Sequence, residues 1–272
     1  MTSGCGMPIS SAELNGSAGG MVADGVSAGY GADLVIRSVT VKALKAEIST
    51  VIGPNGSGKS TFLKAVTGVI RVSEGKVVLT GDDITNLTTD AIMRRGVGYV
   101  PQLNDVFAPL TVQENLEAGG YLLPKATVTS SMERIFGVFP QLAKMRRRVA
   151  GKLSGGERKM LAIGRALMTE PPVLILDEPT ANLSPVLART VLEEYVMRLK
   201  EEGVAVLLVE QRAREALQVS DFAYVMVAGQ VVVAARAAEL AAREDIGSLF
   251  LGRARSGVGS TTRPGSIGIG PP

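Results

Sequence analysis

The chain has 272 residues, 46% of them hydrophobic and 20% charged, which places it in the globular class with enough length for one large domain. It has no histidine and one cysteine, Cys5, so a histidine triad, a histidine-ligated metal and an intrachain disulfide are excluded. The excess of basic over acidic residues is only +3, and with no tryptophan and 4% aromatics there is little to bind or stack nucleic acid.

Residues 1–24 are rich in Gly, Ser and Ala, and 253–272 in Gly, Ser and Pro. Both read as flexible tails flanking a body at 25–252. No apolar run reaches the ~18–20 residues that span a bilayer, and no basic-then-apolar leader is present. A soluble, cytosolic chain is expected unless a partner holds it at a membrane.

Within the body, 48–52 reads as a buried strand entering a Gly-rich loop, followed by a helix from about Lys59 to 67. Residues 76–80 and 97–99 read as strands. The stretch 103–153 carries no strand signal and reads as a mostly helical lobe. A helix follows at 155–168. Residues 173–176 form an unbroken apolar run, as expected of a strand covered on both faces. A helix at 185–202 leads to a similar run at 204–209. Residues 223–227 and 230–233 flank Ala228-Gly229 as a hairpin, with a last helix at 236–243. This alternation predicts an α/β fold with a mainly parallel central sheet.

Gly53-Pro54-Asn55-Gly56-Ser57-Gly58-Lys59-Ser60-Thr61 fits the G-x-x-x-x-G-K-[ST] phosphate loop, with a strand before it and a helix after. Glycines let several N–H groups converge on one anion, and the helix adds its positive N-terminal end. Lys59 supplies charge to the β- and γ-phosphates, and the Ser60 hydroxyl is a candidate Mg²⁺ ligand. A dinucleotide loop would need a third glycine where Lys59-Ser60-Thr61 stands.

Val173-Leu174-Ile175-Leu176-Asp177-Glu178 sets two carboxylates at the C-terminal end of a buried strand, where ligands of open α/β sheets sit. Asp177 is the candidate metal ligand. Glu178 is the candidate base toward the water that attacks the γ-phosphate. Upstream, Leu153-Ser154-Gly155-Gly156-Glu157-Arg158 opens a helix and offers a second anion-binding terminus, although the same residues also suit an ordinary helix cap.

With Gln102 about fifty residues before that segment, the chain resembles the ATP-binding subunit of ABC transporters over about 25–252. The phrases VSAGYGADLVIRSVTV, FPQL, LSGGERKMLAIGRALM and LLVEQ are similar to the branched-chain amino acid importer ATPases. The resemblance implies a P-loop ABC ATPase core with an antiparallel β portion near the N-terminus and a helical insertion at about 103–153. It implies two subunits sandwiching ATP and Mg²⁺, with Ser154, Gly155 and Gly156 of one facing the phosphate loop of the other. It further implies that Tyr30 stacks on adenine, and that Gln102 touches Mg²⁺ and the lytic water. Ala181-Asn182-Leu183-Ser184-Pro185 takes the place of the segment that crosses the dimer interface, without its usual aspartate. Partners implied are membrane permease subunits, a second ATPase subunit that is identical or paralogous, and indirectly an external substrate-binding protein. No nucleic acid is implied. The expected location is the cytoplasmic face of the inner membrane, held peripherally.

Most relatives of this kind carry a histidine where this chain has Gln211. One reading is a site that binds ATP and hydrolyses it poorly. The other is that the Gln211 amide donates to a γ-phosphate oxygen, and glutamine at this position is usual in the subgroup resembled. Rival functions are a P-loop kinase, a ribosome or DNA-repair ABC protein, an importer for urea or short amides, and a regulatory module without turnover. Arg146-Arg147-Arg148 reads as a solvated face, with attraction to lipid or an acidic permease loop as the sharper alternative. Six methionines at 93, 132, 145, 160, 168 and 197 read as core or interface filler.

Overall fold

The computed structural model describes residues 19–31 and 33–243. The C-terminal tail at 253–272 and the segment 1–18 lie outside the described residues. The sequence reading ends the N-terminal tail at residue 24, whereas strand β1 already begins at Met21.

In chain order, β1 (Met21–Tyr30), β2 (Asp33–Ala43) and β3 (Ile48–Ile52) lead to α1 (Lys59–Val66). Next come β4 (Val72–Leu79), β5 (Asp82–Asp83), α2 (Thr89–Arg94) and β6 (Val97–Val100). The lobe that follows holds α3 (Val112–Gly119), α4 (Lys125–Val138), α5 (Pro140–Lys144) and a 3₁₀ turn at Ala150–Lys152. Then come α6 (Gly155–Leu167), β7 (Val173–Asp177) and a helical rod made of α7 (Pro185–Thr190), a π-helical turn (Val191–Val196) and α8 (Met197–Glu201). The described chain ends with β8 (Ala205–Glu210), α9 (Ala213–Val219), β9 (Phe222–Val227), β10 (Gln230–Arg236) and α10 (Ala237–Ala241).

The strands form two sheets. One has the order β2-β1-β4-β5 and is antiparallel. The other has the order β10-β9-β3-β8-β7-β6, parallel from β9 to β6, with β10 antiparallel at its edge. This is the expected α/β core with an antiparallel portion. Within 103–153 the regular elements are helical apart from a single bridge between Thr111 and Val149, with turns and coil joining them.

Successive side chains of a strand point to opposite faces, and here each face has its own core. In β7, Leu174 and Leu176 join the core under the helical lobe and the rod, whereas Val173 and Ile175 join the core between the sheets. In β8, Val206 and Leu208 face the first, and Ala205, Leu207 and Val209 the second. Helix α1 fills the space between the sheets through Phe62, Leu63, Ala65 and Val66. These unbroken apolar runs therefore serve two cores at once.

Helix starts follow from short polar caps. Thr111 opens α3 and Ser154 opens α6, each in a reciprocal capping box with a glutamate three residues on. Met132, Met160 and Met168 are buried, and Met93, Met145 and Met197 pack partly buried against the same cores. The basic run is knitted into the lobe. Arg146 donates to Gln113 and Glu133, and Arg148 to the Lys152 carbonyl and Glu157. No helix among the described residues is long and apolar enough to cross a membrane.

Candidate functional site

The C-terminal ends of β3, β6, β7 and β8 lie side by side. Ile52 of β3 pairs with Glu210 of β8, and Asp177 of β7 with Val209. The loop after β3 therefore opens beside the acidic end of β7.

The loop's shape is fixed from behind by the hairpin of β9 and β10. The Gly229 N–H donates to the Ser57 carbonyl at 2.8 Å. A β-carbon on Gly53 would stand 2.2 Å from the Met226 carbonyl oxygen, so only glycine fits there. Gly58 has φ +103° and leads into α1. No side chain caps that helix. Its first-turn N–H groups are thus left for an outside acceptor, and the site suits a phosphate.

Lys59 is 4% exposed and lies along its own loop, donating to the carbonyls of Gly53 at 2.8 Å and Pro54 at 3.2 Å. Burial pushes its ammonium below the ordinary lysine range, while Glu178, Asp177 and Glu210 pull against that shift. Its Nζ lies 3.8 Å from Glu178 Oε1. The other oxygen, Glu178 Oε2, accepts from Gln102 Nε2 at 3.0 Å. Glu178 has φ +42°, rare for a side chain with a β-carbon, and its N–H is held by the Val209 carbonyl at 2.8 Å. Such strain is found where a side chain must be aimed.

Asp177 is half-buried, which raises its carboxyl above the usual range. The Tyr99 hydroxyl, donating to Oδ2 at 3.0 Å, and Lys59 oppose that rise. Burial likewise raises the Tyr99 phenol. Ser60 is exposed at the loop's mouth. Asp177, Ser60 and Gln102 offer only oxygen contacts suited to a hard cation, and no cluster of three or more His, Cys, Asp or Glu stands among the described residues. That donor set fits Mg²⁺ held largely by phosphate and water, and does not fit a protein-caged transition metal.

Tyr30 ends β1 half-exposed beside α1. Lys64 donates to its hydroxyl at 3.1 Å and lies over its ring, 5.6 Å from the centroid. That ammonium holds the phenol below the ordinary tyrosine range. The open ring is available for stacking within reach of the phosphate-loop helix.

Ser154, Gly155 and Gly156 stand apart. Among the described residues no hydrogen bond or ion pair ties them to the phosphate loop. Ser154 Oγ caps α6 by accepting the Glu157 N–H at 3.3 Å. A β-carbon on Gly155 would come within 2.7 Å of Leu183 Cδ2, and one on Gly156 within 3.2 Å of Leu187 Cδ2. The segment thus packs on the 181–185 loop and the helix after it, which Ser184 caps. Gln211 is exposed just past β8, and its N–H donates to Glu210 Oε2.

Three residues escaped the sequence reading. Tyr99 and Glu210 meet partners 78 and 30 residues away. Lys159 of α6 forms a nearly buried ion pair with Asp105 at 2.7 Å, joining that helix to the segment after Gln102. The visible signal was weak: a lone glutamate closing an otherwise apolar β8, and a lysine inside a buried helix face.

The family model described as ABC transporter matches residues 36–181, more than half of the chain. The chain belongs to the ABC transporter family. It is similar to BraG of Pseudomonas aeruginosa, a high-affinity branched-chain amino acid transport ATP-binding protein. The two are 39% identical over 229 residues, 84% of this chain and 98% of that one. It is also similar to LivF of Archaeoglobus fulgidus, a probable branched-chain amino acid transport ATP-binding protein, at 41% over 227 residues, 84% and 96% of the two chains. Among solved structures, the ADP conformation of an ATP-binding cassette from an ABC transporter matches with a TM-score of 0.75 at 29% identity, covering 86% of this chain and 98% of that one. This ABC chain is accordingly an ATPase, the nucleotide-binding subunit of a transporter.

Proposed function

We propose that this ABC ATPase drives import of branched-chain or other hydrophobic amino acids. It would act at the cytoplasmic face of the plasma membrane, bound to permease subunits and supplied by an external binding protein. The cargo rests on the likeness to BraG and LivF. The chemistry rests on one observation: Gln102, Glu178 and Lys59 form a continuous polar chain at the mouth of the phosphate loop.

In this reading the 53–61 loop and the α1 terminus bind the phosphates, Lys59 swings from its loop carbonyls to the β- and γ-oxygens, and Tyr30 stacks on adenine. Ser60, Asp177 and Gln102 would hold Mg²⁺, which when bound neutralises charge on the β- and γ-phosphates. Glu178 takes the proton of the attacking water, Gln102 orients that water, and Gln211 donates to the γ-phosphate. Ser154, Gly155 and Gly156 pack on 181–185 away from their own loop, which supports their completing the site of a second subunit. Closure of the pair then transmits force through the helical lobe to the permeases.

Reconstitution with the permeases in proteoliposomes tests this. Phosphate release should rise when the binding protein carries leucine, isoleucine or valine. A rise with urea or a short amide instead would reassign the cargo, and no turnover under any condition would overturn the ATPase role.

A further inference from the structure

Glu210 closes β8 and is 1% exposed, while the five residues before it in that strand are apolar. A carboxylate this deep persists only where donors meet its oxygens. Three do. Oε1 accepts the Thr180 N–H at 3.0 Å and the Thr180 hydroxyl at 2.8 Å. Oε2 accepts the Gln211 N–H at 3.2 Å. One oxygen thus grips the segment that follows Glu178, and the other grips the backbone of Gln211.

Two further ties join the same segments. The Glu178 N–H donates to the Val209 carbonyl at 2.8 Å, and Arg212 Nη2 donates to the Leu183 carbonyl at 2.9 Å. The first backs the strained turn at Glu178. The second reaches the 181–185 loop, against which Gly155 packs. An apolar side chain at position 210 would fill the same space, yet it would fix neither Thr180 nor Gln211.

We propose that Glu210 is a positioning residue whose two oxygens bracket Thr180 and the Gln211 backbone, setting the spacing between the base Glu178 and the phosphate donor Gln211. This rests on the roles given above to those two residues. Glu210 itself is sealed from the surface. It acts through where it holds Gln211 relative to Glu178, and Arg212 extends the same fastening to the 181–185 loop.

A double-substitution cycle on the reconstituted transporter tests it, with phosphate release and ATP affinity as readouts. Glu210→Gln keeps the size and one acceptor, but turns an amide NH₂ toward the Gln211 N–H. The expected result is a kcat lower by roughly 10- to 10²-fold, the scale of a misplaced reacting group, with ATP affinity nearly unchanged. In a Gln211→Ala background the same change should have little further effect, because the group it positions is gone. Equal fold losses in both backgrounds would mark Glu210 as a structural plug and overturn the proposal. Should Glu210→Gln fail to fold, Thr180→Val removes one donor at constant shape and goes through the same cycle. A loss confined to the Gln211 background supports the bracket, and an additive one overturns it. If Gln211→Ala turns over at the wild-type rate, the phosphate role of Gln211 is what fails, and the bracket loses its purpose with it.

Discussion

Gly53→Ala probes whether the hairpin behind the phosphate loop sets the loop's shape. The added β-carbon would stand 2.2 Å from the Met226 carbonyl oxygen and 2.8 Å from Ser57 Oγ. Relaxed carbon–oxygen contacts lie at about 3.3–3.6 Å, so the first overlap exceeds about 1 Å. Turning the Ser57 side chain relieves only the second contact. The first sets a β-carbon, which no rotamer can move, against a backbone carbonyl, and β9 is held by β3 on one side and β10 on the other. The loop must therefore shift by about that overlap. Overpacking of this kind costs about 1–3 kcal/mol, a fall in Tm of roughly 2–12 °C for a domain of this size. The larger effect is on rate, because the carbonyls of Gly53 and Pro54 seat Lys59. A displacement near 1 Å at a reacting site costs about 10²-fold. Phosphate release at saturating ATP, run beside thermal unfolding, measures both. A variant with unchanged turnover and Tm would refute the view that Met226 and Gly53 define the loop together.

Glu178→Gln should lower phosphate release by about 10²–10⁴-fold while ATP binding, followed with a fluorescent analogue, persists. Full activity would remove Glu178 from the role of base. Asp105→Asn leaves the Lys159 ammonium buried without its counter-charge and should cost about 3–5 kcal/mol in urea unfolding. Much of that loss should return in the Asp105→Asn, Lys159→Met double variant. Burial holds the Glu210 carboxyl above its ordinary range in the folded chain, so the folded state binds more protons there than the unfolded one. Its contribution to stability accordingly falls as pH rises from about 4.5 toward the raised folded value. Glu210→Gln lacks that slope, and its stability deficit should narrow as pH climbs through the same window. A deficit independent of pH would show that Glu210 titrates normally.

The candidate site at the C-terminal end of the sheet was legible because its motifs are local. The phosphate loop, Asp177-Glu178 and Ser154-Gly155-Gly156 are contiguous in sequence and sit where strand and helix signals place them. The N-terminal sheet was harder to read. β1 shifts register between Ala23 and Val26 and again near Ala28, so its alternation breaks and its first residues merge with the Gly-rich stretch before them. β4 begins at Val72, four residues before the expected strand, because Ser73, Glu74 and Gly75 are exposed and hide its start. Helix α2 is only six residues long and left no periodic trace. Tyr99 and Glu210 owe their importance to partners far along the chain, which no short motif reports.

The strand that delivers the phosphate loop has an awkward birth. β3 ends at Ile52, yet the neighbours that flank it begin at Ala205 and Phe222. A nascent chain emerging from the ribosome N-terminus first carries that strand with both edges bare until nearly the whole domain has been made. Contacts of such long range close slowly. The strand that carries the loop thus completes its pairing only once residues 222–227 are made, so a lesion in that late hairpin is expected to reach the loop from behind.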